Sequence, residues 1–279
     1  MKTNDRLGGI LAIVAAVMGI VAHFVLFIKW YQIGMSAESA EPGCEILLKY
    51  IHPALAYMGI LAGALFAVSA YGFFTHRNWA VFLSMIAIVL ALLSSWFINV
   101  PFMAADLPPV YFPIFWPYLI LYFLFLRLVA GVSWSRTLLA LGTGMAYIFC
   151  FMNGVSSTSR IITVGAPIFV LVDGPHWAAM LGWAVVTIGI ILRPAEWQRV
   201  IGLCAATVEL IVGIPLAVVT AGALGRFSLF ALAPIACLIL LVLFVWPGLW
   251  ERLTGAAAHL GRDLHPTPQP EQLGAAGRL

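Results

Sequence analysis

The chain has 279 residues, a mean hydropathy of +1.05, 63% hydrophobic and only 9% charged residues. Soluble domains carry about a quarter charged residues, so an ordinary water-soluble fold is excluded. The formal net charge of +3, scattered along the chain, excludes a nucleic-acid surface.

Charges fall between long apolar runs, as in an integral membrane protein built of helices. Eight runs approach the roughly 20 apolar residues that a bilayer crossing requires. They lie at approximately 7–28, 53–74, 79–100, 112–132, 137–153, 175–193, 199–221 and 227–247. The first follows "MKTNDR"; it exceeds the apolar region of a secretory signal and no small-residue cleavage site follows, so it is read as a span. A shorter run, "IITVGAPIFVLV" (161–172), contains Gly165 and Pro167 and is expected to be re-entrant or interfacial. The expected fold is an all-α, polytopic membrane bundle of about eight transmembrane helices, with that segment between spans 5 and 6. It forms one domain over 1–249. The tail, 250–279, is expected to begin as a short amphipathic helix and end disordered, being rich in Pro, Gly and Gln. An opening Arg with a Gly three residues on is shared by "RLGGILAIVAAVMGIV" and "RVIGLCAATVELIVGI"; that is too little to establish duplication.

Charge placement orients the bundle. With both termini inside, Lys2, Arg6, Arg77, Arg127, Arg136, Arg193, Arg199, Arg252, Arg262 and Arg278 are cytoplasmic, and Lys29, Lys49, Arg160 and Arg226 lie outside. Ten against four is the positive-inside bias expected in a cell membrane. Trp30, Tyr31, Trp96, Tyr111 and Trp116 fall near the outer border, and Trp79, Trp134, Trp197 and Trp250 near the inner one, as aromatic belts require.

Four cysteines, Cys44, Cys150, Cys204 and Cys237, show no CxxC or zinc spacing. The chemistry is sought first at Glu209, inside "TVELIVGIPL". Counted from Arg199 it lies about 15 Å into the membrane, on a face with Gly202, Ala206 and Gly213 that suits close helix packing. Tyr147 and Thr187 match its depth as partners. Desolvation disfavours the ion, so a protonated acid is expected, serving as a proton relay, a polar ligand contact or an interhelical hydrogen bond.

Two histidines occupy corresponding ends of inward-running spans, in "YIHPALAY" and "VDGPHWAA". Pro53 and Pro175 suit the first helical position and Asp173 an N-cap. His23 is placed about 8 Å below the outer border, on a face with Ala12, Ala15, Ala16 and Gly19. If spans 1, 2 and 6 adjoin, His23, His52 and His176 converge and offer nitrogens to a haem or divalent metal. The string "MNGVSSTSR" brings Asn153, Ser157, three further hydroxyls and Arg160 beside the expected re-entrant run, the donors that an anionic head group or carboxylate wants. Asn99 and Asp106 are candidates to complete that outer pocket.

No phosphate loop, nucleophile motif or zinc signature is present, and an enzymatic role is not expected. Three functional expectations follow. The first is binding or transport of a small or lipid-like molecule through an outward pocket, with Glu209 deeper. The second is a redox component holding haem or quinone. The third is a non-catalytic subunit of a membrane complex.

Overall fold

A computed structural model describes residues 4–38 and 46–255. Among these residues there is helix and no strand. Seven helices are long and apolar enough to cross a bilayer: α1 (Asp5–Ala37), α2 (Leu47–Phe74), α3 (Trp79–Ala104), α4 (Phe112–Val129), α5 (Trp134–Thr163), α6 (Pro167–Leu192) and α7 (Glu196–Leu224). An eighth apolar helix, α8 (Leu229–Val245), is shorter. The six-residue α9 (Leu249–Thr254) closes the described chain. The architecture is that of a polytopic membrane protein.

The helices form two sequential halves. In the first, α2 packs between α1 and α3, and α3 meets α4; in the second, α6 packs between α5 and α7, while α8 closes onto α7 and α5. The halves meet mainly where α3 touches α5 and α6. That seam is aromatic: Trp96 lies edge-on to Phe149 at 5.5 Å and Phe97 to Phe151 at 5.3 Å between ring centroids. Such pairs add roughly 1 kcal/mol each beyond buried area. The short turns alternate sides, so α1 begins and α8 ends on one face of the bundle. It is called the N-terminal face below.

Most helices outrun the apolar runs that predict them, which corrects the placement of the 161–172 segment, of Pro53 and Pro175, and of Asp173. The segment 161–172 is not re-entrant. It is the crown of a hairpin, because α5 continues to Thr163 and α6 starts at Pro167. The polar string does not break α5, since its hydroxyls bond backward one turn: Thr158 to Gly154 O at 3.0 Å and Thr163 to Ser159 O at 2.9 Å. The turn itself is made by Gly165, at φ 67°, and by Pro167 at the first helical position. Pro53 and Pro175 therefore lie inside α2 and α6 rather than at their starts, and Asp173 is an interior residue, not a cap. The helix that carries His23 continues well past it. His23 stands 14 residues before the end of α1, about 21 Å along the axis. The segment from 250 begins within α9, whose Trp250 is buried against Phe244 at 5.1 Å. Residues 256–279, Lys2 and Cys44 lie outside the described residues.

Arginines finish helices on the N-terminal face. Arg136 of α5 donates to Ile190 O (3.1 Å) and Ile191 O (2.6 Å) at the end of α6. Arg199 of α7 donates to Phe244 O (2.8 Å) at the end of α8. Both cations thus satisfy orphan carbonyls at the negative ends of helix dipoles. Arg127 bonds Val132 O and covers the Trp134 ring at 4.8 Å.

Candidate functional site

Glu209 is fully buried near the middle of α7. A side chain on Gly213, one turn on, would put its Cβ 2.6 Å from Glu209 Oε1. The absence of that carbon is what lets the carboxyl group turn into the bundle. There Asn153 of α5 donates Nδ2–H to Oε1 at 3.0 Å and to Phe230 O at 3.2 Å. His176 of α6 places Nδ1 2.8 Å from Oε2, and both side chains are wholly inaccessible. Three helices and the start of α8 therefore converge on one carboxyl group.

The geometry places one hydrogen bond between acid and imidazole. Oε1 receives the Asn153 donor, so the hydrogen between acid and imidazole lies on the Oε2···Nδ1 axis. Carboxylic acid with neutral imidazole, and carboxylate with imidazolium, are both net neutral, as a water-poor interior requires. Nε2 of His176 is a donor in both of these forms and an acceptor if Nδ1 alone carries the hydrogen. That Nε2, Asn153 Oδ1 and Ser157 Oγ are buried with no partner. Buried polar atoms are nearly always satisfied, so three orphans at one place mark space for water or ligand.

A polar stripe joins this centre to the face opposite the N-terminal one. Cys150, Asn153, Ser157 and Arg160 recur at intervals of three and four along α5 and share one side of it. Above Glu209 a cleft of about 200 Å³ lies between the halves, lined by Asn153, Ser156 and Arg160 of α5, by Arg226 and Ser228 after α7, and by apolar residues of α2 and α3. Arg160 donates to Ser156 O (3.3 Å), and its guanidinium covers Phe230 at 5.1 Å and Phe169 at 5.7 Å. Asn153 belongs both to the cleft lining and to the Glu209 cluster.

The other candidates lie elsewhere. His176 does not join His23 and His52. Those two flank Tyr111 in the first half, with ring centroids at 5.9 and 5.6 Å from it. His52 Nε2 pairs with Tyr111 Oη at 2.7 Å. His23 follows a π-helical turn, Met18–Ala22. Its Nδ1 donates to Gly19 O at 2.9 Å, and its Nε2 meets Ser94 Oγ at 3.3 Å. The ring fits because residue 59 is glycine: a Cβ there would lie 2.1 Å from Nε2. The Nε2 atoms of His23 and His52 are thus turned to Ser94 and Tyr111, while His52 Nδ1 is buried without a partner. Asn99 belongs to this first-half centre. It accepts from Tyr111 N–H at 2.9 Å and donates to Ser95 O at 2.8 Å. Asp173 is half-buried and accepts from Thr158 Oγ1 at 2.9 Å. Asp106 is exposed in the turn after α3, at φ 56°. Thr187, considered as a partner for Glu209, instead bonds Trp183 O and Thr143.

Sequence reasoning missed the His176–Glu209 pair because the hairpin was misplaced. With α6 beginning at Pro167, His176 lies nine residues, about 14 Å, inside rather than at the rim. It also passed over Arg226 and the two buried thiols near the cluster, Cys150 and Cys237. Among the described residues no group of three or more His, Cys, Asp or Glu side chains is arranged to hold a metal ion. No protein-family model, curated protein or solved structure matches the chain.

Proposed function

We propose that the chain binds, and carries across a membrane, a small or lipid-like molecule. The molecule enters the cleft between the halves, and the Glu209–His176 pair exchanges a proton as it passes. The observation that carries this reading is Asn153: one side chain lines the cleft and holds the carboxyl group of Glu209. A change at the cleft end of that amide is felt at the acid, 3.0 Å away. The orphaned atoms of His176, Asn153 and Ser157 supply both a donor and acceptors for a ligand or for relaying water.

The ten-to-four distribution of basic residues supports a cell-membrane orientation with both termini cytoplasmic. The cleft then opens outward. The structural-subunit reading would leave three buried polar atoms without a purpose, and is set behind this one.

Native mass spectrometry of the full-length protein, released from mild detergent, tests the proposal. A stoichiometric small molecule is expected, lost from Asn153→Ala and retained by an exposed control such as Thr207→Ala. A protein that carries nothing, or carries the same molecule in the Asn153 variant, overturns it. A haem absorption band, or a tightly held second polypeptide, would transfer the assignment to the redox or subunit class.

A further inference from the structure

We infer that the ligand is an uncharged amphiphile with a hydroxyl head: an alcohol or phenol that donates its hydrogen to Asn153 Oδ1 and lays its apolar body against the first half. This deepens the reading of the cleft given above and rests on it. The Asn153 amide sets the polarity of the contact. A carbonyl oxygen only accepts, so the amide atom 3.2 Å from Phe230 O is the nitrogen. The same nitrogen donates to Glu209 Oε1 at 3.0 Å. Both amide hydrogens are thereby assigned. The side chain cannot turn over without setting Oδ1 against the Phe230 carbonyl. Oδ1 is left buried with no partner, in a residue that lines the cleft. Such an acceptor is satisfied only by a donor.

The other cleft residues narrow the class. Ser228 already pairs its hydroxyl with Thr220 Oγ1 at 2.7 Å and with the N–H of Phe230 at 3.3 Å. On the first-half side, Leu47, Val100, Pro101 and Ala104 offer no side-chain polar atom. Water at Oδ1 would need roughly two to four polar partners, and that wall supplies none. An apolar body covers it. An ether, ketone or ester head carries acceptors only and would set lone pair against lone pair. An ammonium donates, but its charge is not balanced by the Glu209–His176 pair, which is neutral as a whole. Size also decides. About 200 Å³ equals the liquid volume of roughly six or seven waters, which accommodates a hydroxyl head with the first several carbons of its chain.

The test uses the full-length protein in nanodiscs of phosphatidylcholine, whose head group carries no hydrogen-bond donor. Two photoreactive probes are compared at equal bilayer concentration: a diazirine-bearing decanol and its methyl ether, which keeps the oxygen and lacks the donor. Irradiation followed by peptide mass spectrometry is expected to place the alcohol on cleft residues such as Val100 and Met152, about tenfold more than the ether. Asn153→Ala should bring the alcohol down to the level of the ether, and Thr207→Ala should leave it unchanged. A second readout needs no variant and so survives a misfolded one. With isotope-labelled asparagine in the unaltered protein, the alcohol should lower the frequency of one buried side-chain carbonyl band, and the ether should not. Equal labelling of the cleft by both probes, or a carbonyl band that moves with neither, overturns the inference. If that happens while a co-purified molecule still depends on Asn153, the ligand class is wrong and the cleft stands. If neither probe marks the cleft and no molecule depends on Asn153, the cleft reading falls as well.

Discussion

At the scale of single residues, one acid and the atoms that face it form the centre of the second half. An ionisable group in the hydrocarbon layer persists only where its polar atoms are met, and Glu209 has both oxygens engaged. Glu209→Ala would leave His176 and Asn153 facing an empty site, and should destabilise the protein by about 3 kcal/mol. Glu209→Gln keeps the shape and both contacts, and should cost within about 1 kcal/mol while removing the exchangeable proton. Thermal unfolding of the two variants in detergent checks the difference; equal losses would mean that the carboxyl group is not held by these partners. Gly213→Ala should behave more like Glu209→Ala than a one-carbon change normally does, because its Cβ falls 2.6 Å from Oε1. A loss of about 1–3 kcal/mol is expected, read in the same assay.

At the scale of elements, the helices are held by close approaches of small residues. Gly19 of α1 meets Gly63 of α2 so closely that a Cβ on the former would lie 2.8 Å from the Cα of the latter. The same pair of helices accommodates His23 against Gly59. Gly59→Ala should therefore cost about 2 kcal/mol or more, and removal of the ring by His23→Ala in the same chain should recover part of that cost. A double-mutant cycle measures the coupling; strict additivity would show that the two residues do not share this space.

The element scale also shows what was legible in sequence. Run lengths placed all eight apolar helices, because a bilayer imposes a length that no soluble core demands. Their ends were misjudged at α1, α2, α5 and α6: α1 and α5 extend past the apolar run into hydroxyl residues that bond backward to their own carbonyls, while α2 and α6 begin before Pro53 and Pro175. From Ser156 to Arg160 the composition of α5 reads as loop, yet the backbone there remains helical. The face of Glu209 with Gly202, Ala206 and Gly213 was visible in the 3.6-residue period, and all four are buried. Its partner was not, since which helices adjoin is decided by packing between spans. His23 and His176 had equal claims to any neighbour until the two halves were seen to separate them.

At the scale of the whole molecule, each half encloses a histidine-centred polar cluster, and the main cleft lies along their seam. The first-half cluster ties Asn99, Tyr111 and His52 together without opening onto that cleft, and fixes the loop after α3. Orientation is the property most easily checked. Reporters fused to either terminus should give cytoplasmic activity, fluorescence from a green fluorescent protein and none from an exported phosphatase. The reverse pattern would place the cleft on the cytoplasmic side and require binding from within.

The account turns on the cleft and the buried acid acting as one unit through Asn153. Infrared difference spectroscopy, on protein emptied of its bound molecule and then refilled, measures this most directly. The carboxyl band that disappears in Glu209→Gln is predicted to shift when the cleft is occupied, and to stay still when Asn153 is replaced by Ala. A cleft that fills while that band is unmoved in the unaltered protein would contradict the account.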